Sequence, residues 1–274
     1  MDKKPTAVVM SGGGAKGCYQ VGMLKALQDY GYLTDVKDYY GSSVGSLNSA
    51  GMAFRGIEGL EKIWSDIKSR NDILKPIWWK LLWAPGAYTT KPLEKILEDV
   101  VQGKPQKRAV SCYVDYVSRQ AKYCDNQGDL DEYIDMTVAS SSIPVLMDPV
   151  KEVLFDGGVT DQTPLTRAIE EGHRDIIVLL TNPVERKPDD WEPSFPRMVS
   201  YLNRTFSVML EEMFKNDLKL CQKNNHVPGK EKVNLWIMEP KEAIIKTIEF
   251  DPEKIREGID HGYEVARGQI NERQ

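Results

Sequence analysis

Histidine is scarce in this chain. His173, His226 and His261 are the only three in 274 residues, and they stand too far apart to form a metal cluster. The four cysteines, Cys18, Cys112, Cys124 and Cys221, include no CxxC pair and no zinc-like spacing with histidine. That excludes a disulfide framework by pattern and leads us to expect reduced thiols in a cytoplasmic protein. No apolar run approaches the ~20 residues of a membrane span. The opening MDKKPTAVVMSGGG lacks the length and cleavage pattern of a signal peptide. A net charge of −5 argues against nucleic-acid binding, and gives no global attraction to anionic membranes. Low-complexity linkers and internal repeats are missing as well. The expectation is therefore one domain over 1–274, with a motif-bearing core at about 5–182 and a C-terminal strand and helices, 183–274, packed on it.

What is present alternates strand and helix. Thr6 to Met10 is a short apolar strand that stops at Ser11-Gly12-Gly13-Gly14, and a helix follows with Val21, Leu24 and Leu27 on one face. Val36 to Tyr40 is a second strand, leading through Gly41-Ser42-Ser43-Val44-Gly45 into a small-residue helix over Ser46 to Phe54. Leu93, Ile96, Leu97, Val100 and Val101 mark an amphipathic helix over Pro92 to Gln102. Strands are expected at Ala109 to Val117, Gln120 to Cys124, Val153 to Phe155, Ile176 to Leu180 and Val233 to Met238. Helices are expected at Leu130 to Ser141, Leu165 to Glu171 and Pro252 to Ile270, and a long helix or a broken pair at Arg197 to Cys221. This order implies a three-layer α/β/α fold with a mostly parallel central sheet. Lys75 to Tyr88 interrupts the alternation with three tryptophans; it reads equally as an interfacial or lid segment and as a core-packed helix.

A G-x-S-x-G between strand and helix puts its central serine, Ser43, on a sharp turn at the C-terminal edge of the sheet. Glycines flank it at Gly41 and Gly45 because a Cβ there would meet the neighbouring strand or helix. A serine nucleophile needs a base and an oxyanion hole. His173 and His226 fall just before strands, at the opposite edge of a parallel sheet, and His261 falls inside the last helix. Asp156, in VLFDGG with Gly157 and Gly158 after it, ends an apolar strand at the edge where Ser43 is expected. A partly desolvated carboxylate there can take the serine proton. The loop Gly12-Gly13-Gly14-Ala15-Lys16-Gly17 can converge main-chain amides on one oxygen. The same residues spell G-x-G-x-x-G, so a dinucleotide-binding oxidoreductase is the alternative; Asp35 and Asp38 lie near the expected acidic position, but the second strand runs on into the serine bend. Cys18, beside the loop, reads as a buried small residue.

Taken in order, GGGAKG, GSSVG and DGG resemble the motifs of the patatin-like phospholipase family in its bacterial type, and ASSSIPVLMDPV, Ala139 to Val150, resembles a further block of it. The similarity runs from about Ala7 to Leu165. The resemblance implies a patatin-like variant of the α/β-hydrolase architecture and a serine esterase acting on acyl esters of lipids through a Ser-Asp dyad. By motif match it makes Ser43 the nucleophile and Asp156 the base. Gly12, Gly13 and Gly14 become the oxyanion donors, with Lys16 at a basic position of the loop. Ser11 and Gln162 depart from it, standing where members often carry aspartate and asparagine. The resemblance implies a lipid or phospholipid substrate, transient contact with a membrane surface, and no metal or organic cofactor; it identifies no protein partner. An inactive lipid-binding relative is the third reading.

Overall fold

In the computed structural model β1 (Ala7–Met10) sits between β2 (Asp38–Ser42) and β8 (Asp175–Leu179), paired in parallel with both. The residues described are 4–77, 86–185, 192–193, 197–227, 229, 231–242 and 244–273. The tryptophans of the Lys75 to Tyr88 segment, Trp78, Trp79 and Trp83, lie outside them. Short paired strands β3 (Lys75–Pro76) and β4 (Tyr88–Thr89) bracket that stretch.

The sheet reads β6-β5-β2-β1-β8-β9, where β5 is Arg108–Asp115, β6 is Gln120–Asp125 and β9 is Asn234–Met238. β2, β5, β8 and β9 run parallel to β1, and β6 runs antiparallel on β5. The two-residue period of β1 divides the core. Val8 and Met10 pack with α1 (Gly17–Asp29) and α7 (Pro252–Asn271); Ala7 and Val9 pack with α5 (Leu165–Glu170) and α6 (Arg197–Asn225). A third cluster joins α2 (Val44–Asp66), α3 (Lys91–Val100) and α4 (Leu130–Ser140) around Phe54, Leu97 and Tyr133. This is a mostly parallel mixed sheet between helical layers, as expected.

Three elements differ from the expectation. α1 is buried on nearly every side, because α7 lies close against it where Gly22 and Gly262 leave no side chain between the backbones and Gly258 makes room for the Cys18 Sγ. The helix expected over Ser46 to Phe54 does end there, at a break at Gly56 with φ 67°, but a second helical segment that was not expected continues the element to Asp66. The third is β7 (Leu154–Asp156), the strand expected over Val153 to Phe155: in a mostly parallel sheet it pairs antiparallel with β5. Asp156 reaches the C-terminal edge by another route. β2 occupies one side of β5 up to Ser42, opposite Cys112, and β7 takes over that side at Asp156, opposite Tyr113. The ends of β2 and β7 therefore meet head to head across one step of β5, about 3.4 Å.

Candidate active site

Ser43 makes the turn from β2 to α2 alone, at φ 53° and ψ −127°. A non-glycine residue in that region stores roughly 1–3 kcal/mol, so its surroundings must hold it there. The Ser43 N–H donates to the Ser140 Oγ at 3.0 Å. The Ser46 hydroxyl donates to the Gly41 carbonyl at 2.8 Å. With that proton committed, the 2.7 Å contact between Ser140 and Ser46 has Ser140 as donor. One directional chain thus pins both ends of the bend. A Cβ on Gly41 would overlap the Gly45 backbone, and one on Gly45 would overlap the Met10 carbonyl. Ser142, two residues beyond Ser140, accepts the Asp156 N–H on its carbonyl at 2.9 Å. The serine run of the 139–150 block therefore ties the Ser43 turn to the end of β7.

Asp156 is buried and accepts the Gly158 N–H at 2.7 Å. Burial pushes its carboxyl up to about 6; hydrogen bonds from the Ser43 hydroxyl and the Gly158 N–H pull it back only in part. Gly157 is required because a Cβ there would strike the Cys112 carbonyl. Ser43, Asp156, Gly158, the glycine loop, Lys16 and Gln162 line one cavity of about 230 Å³. Lys16 Nζ donates to the Asn182 Oδ1 at 2.7 Å at its margin. Gly17 opens α1, and a Cβ on it would overlap Val44 at the start of α2.

The glycine loop departs from expectation at one position. The Gly12 N–H, expected to face an oxyanion, donates to the Gln162 carbonyl at 3.0 Å. Gly12 is therefore not an available donor. The N–H groups of Gly13 and Gly14 have no protein acceptor among the described residues. Gln162 supports the loop through its main chain, and its side-chain Nε2 also donates to the Gly12 carbonyl at 3.5 Å. The Ala15 N–H donates to the Thr247 carbonyl at 2.8 Å, which fills the space at the start of α1 where a dinucleotide's pyrophosphate would lie. Asp38 opens β2 instead of ending it.

The histidines lie elsewhere. His173 Nε2 meets Asp38 Oδ2 at 2.7 Å and its Nδ1 meets Thr6 Oγ1 at 2.9 Å, where β1 and β2 begin. His226 Nδ1 lies 2.7 Å from the Gln222 carbonyl at the end of α6. His261 accepts the Lys241 N–H at 3.3 Å and stands edge-on to Tyr19. Cys18 is fully buried, and burial pushes its thiol up to about 12, so no thiolate forms beside the loop.

A second cavity, about 80 Å³ and almost wholly apolar, opens off the first. Gly14, Ser43, Ile143, Thr247 and Ile248 line both. Its body is built by α2 and α3, including Leu60, Ile63, Trp64, Leu93 and Leu97. Its wall is wired to the glycine loop. Trp64 Nε1 donates to Asn48 Oδ1 at 2.8 Å, Asn48 Nδ2 to Gln20 Oε1 at 2.8 Å, and Gln20 Nε2 to the Ser11 carbonyl at 2.8 Å. Sequence reasoning missed this chain, along with Ser140, Thr181 and Thr247. The small-residue pattern of α2 was the only local hint of Asn48.

Known proteins resemble this chain in sequence and in fold. Patatin-like phospholipase domain-containing protein 6 of Mus musculus and of Homo sapiens are each 26% identical to this chain over 180 residues, covering 63% of the chain and 13% of the relative. The chain thus matches only a small part of those proteins' length. The crystal structure of VipD from Legionella pneumophila superposes with a TM-score of 0.51 at 15% identity, covering 98% of this chain and 67% of that one, a likeness of fold. The family model described as patatin-like phospholipase matches residues 8–169, more than half the chain, from Val8 within β1 past Asp156. The chain belongs to the patatin-like phospholipase family.

Proposed function

We propose that this protein is a lipid acyl hydrolase of the phospholipase A or esterase type, working through a Ser43–Asp156 dyad, with the whole chain acting as one patatin-like unit. The observation that carries the reading is the meeting of Ser43, Asp156 and two glycine amides without a protein acceptor among the described residues at the junction of a wider mixed cavity and a smaller apolar one. The apolar cavity suits an acyl chain; the wider one, with Lys16 and Gln162 at its wall, suits the alcohol portion of the ester.

In the first step the Ser43 Oγ attacks the ester carbonyl carbon while the Asp156 carboxylate takes the hydroxyl proton. The carbonyl oxygen becomes an oxyanion facing the Gly13 and Gly14 N–H groups. Collapse breaks the bond to the alcohol or lysolipid, which leaves with the proton from Asp156. Water then attacks the acyl-serine, Asp156 takes its proton, and the acid departs as Ser43 is restored. A carboxyl held near 6 is deprotonated at neutral pH yet basic enough to share a proton in the transition state.

Val145 and Ile248, exposed apolar residues at the cavity's mouth, support transient contact with a lipid surface from which substrate enters. Val145 is held out in a left-handed conformation, φ 71°, between Pro144 and Leu146, which line the cavity. The test is hydrolysis of a chromogenic medium-chain ester together with labelling by a fluorophosphonate. Both should be strong in the wild type and lost in Ser43→Ala; activity that persists in Ser43→Ala and Asp156→Asn contradicts the reading.

A further inference from the structure

A loop of three glycines has more backbone freedom than any other tripeptide and offers no side chain by which to hold it. Only bonds to its main chain, and neighbours that fill the space around it, can fix where its amides point. On the upstream side the Gln162 carbonyl takes the Gly12 N–H, and the Thr181 hydroxyl donates to the Gly12 carbonyl at 2.5 Å. On the downstream side the Thr247 carbonyl takes the Ala15 N–H at 2.8 Å. That carbonyl lies so close to Gly14, itself at φ 60°, that a Cβ there would overlap it.

Thr247 belongs to the irregular strap between β9 and α7, well outside the residues matched by the family. The strap has its own anchor. The N–H groups of Ile244 and Ile245 both donate to the Tyr19 hydroxyl, at 2.7 and 3.2 Å. Tyr19 is fully buried on α1, one turn beyond the glycine loop, and Ile245 is buried beside it. Loop, helix and strap thus close a small circuit: Gly14 to Ala15, Ala15 to Thr247, Thr247 back along the strap to Tyr19.

We propose that Tyr19 is a positioning residue for the reaction. Through the 244–247 strap it seats the Thr247 carbonyl on Ala15 and leaves Gly13 and Gly14 as a two-donor oxyanion hole. This rests on the acyl-hydrolase reading above. It also assigns the C-terminal part of the chain a share in catalysis.

The test is Tyr19→Phe, which keeps the buried ring and removes the hydroxyl. Because a misaligned donor typically costs roughly a hundred-fold, kcat on a chromogenic ester should fall by about ten- to a hundred-fold. KM should stay within about two-fold, the signature of an interaction made only in the transition state. The Ki of a trifluoromethyl ketone, which forms a hemiketal oxyanion with Ser43, should rise by the same factor. The midpoint of the pH profile should not move, since Asp156 is untouched. Unchanged kcat, or a rise in KM alone, overturns the proposal.

A second measurement needs no folded variant. On titrating the ketone into wild type, the Gly13 and Gly14 amide protons should shift downfield while those of Gly12 and Ala15 stay put; the reverse overturns the proposal. If the wild type neither hydrolyses esters nor binds the ketone, it is the hydrolase reading that fails. Amide exchange still decides the strap: Ala15 should be protected in wild type and exposed in Tyr19→Phe, and equal protection in both counts against it.

Discussion

The two edges of the sheet treat charge in opposite ways. Where β1 and β2 begin, ionisable groups are matched to one another. Arg108 reaches Asp125 at 2.8 Å and Glu171 at 2.5 Å, Tyr40 donates to Glu171 at 2.6 Å, and His173 bridges Asp38 and Thr6. Burial would raise the Glu171 carboxyl, but hydrogen bonds and charge from Arg108, with Tyr40 and Arg167, outweigh it and hold it at about 2. Where β2 and β7 end, the carboxylate has no cation partner among the described residues. Asp156 faces one hydroxyl and one amide, and burial pushes it up to about 6. The same chemical group is a fixed anion at one edge and a proton acceptor at the other. The difference is whether a guanidinium shares its burial.

Several substitutions would break or sharpen that contrast. The largest effects are expected at the edge that holds Ser43 and Asp156. Ser43→Ala and Asp156→Asn should each reduce ester hydrolysis by about a thousand-fold or more, as loss of a residue acting within a catalytic unit does, measured as kcat against the chromogenic ester. Next comes Gly14→Ala, which puts a methyl where the Thr247 carbonyl lies; kcat should drop by about a hundred-fold, comparable to removing one oxyanion donor. In the apolar cavity, Leu97→Trp fills space between α2 and α3. It should cut kcat/KM on long-chain esters by about ten-fold while sparing short ones, a difference worth one or two buried methylenes. At the opposite edge, Arg108→Ala should lower stability by about 2 kcal/mol through lost charged hydrogen bonds, yet leave kcat per folded molecule within about two-fold. A comparable loss of kcat in that variant would erase the distinction between the edges.

Asp156 also links the chemistry to stability. Its carboxyl binds a proton more tightly folded than unfolded, so folding takes up a proton between about pH 4 and 6 and wild-type stability falls as pH rises through that window. Asparagine carries no such penalty. Asp156→Asn should therefore melt above wild type at pH 8, with the gap closing towards pH 4, in a thermal scan at both values.

Much of this arrangement is legible in the sequence because it is local. A strand that stops at glycines, a serine bracketed by Gly41 and Gly45, and an aspartate before Gly157 and Gly158 each announce a turn whose sterics admit few residues. The histidines could be set aside from their positions alone, two just before strands and His261 inside the last helix. What could not be read depends on distant backbone. Three apolar residues, Val153 to Phe155, do not reveal the direction of a strand, so the antiparallel docking of β7 was invisible. Gly56 does break α2, as suits a residue that is costly inside a helix; what the small-residue pattern did not show is the second segment that continues to Asp66. The acceptors that fix the glycine loop are carbonyls of Gln162 and Thr247, and every residue has a carbonyl, so no pattern marks them. Ser140 stood within a noted block, but its partner lies almost a hundred positions away.

The pH dependence of fluorophosphonate inactivation in wild type and Asp156→Asn tests the pairing of Ser43 with Asp156 most directly. The wild-type rate constant should rise with pH through a single midpoint near 6, and the asparagine variant should lose that step along with most of its rate. A midpoint that survives in Asp156→Asn, or disappears on replacing His173, His226 or His261, would contradict a carboxylate base.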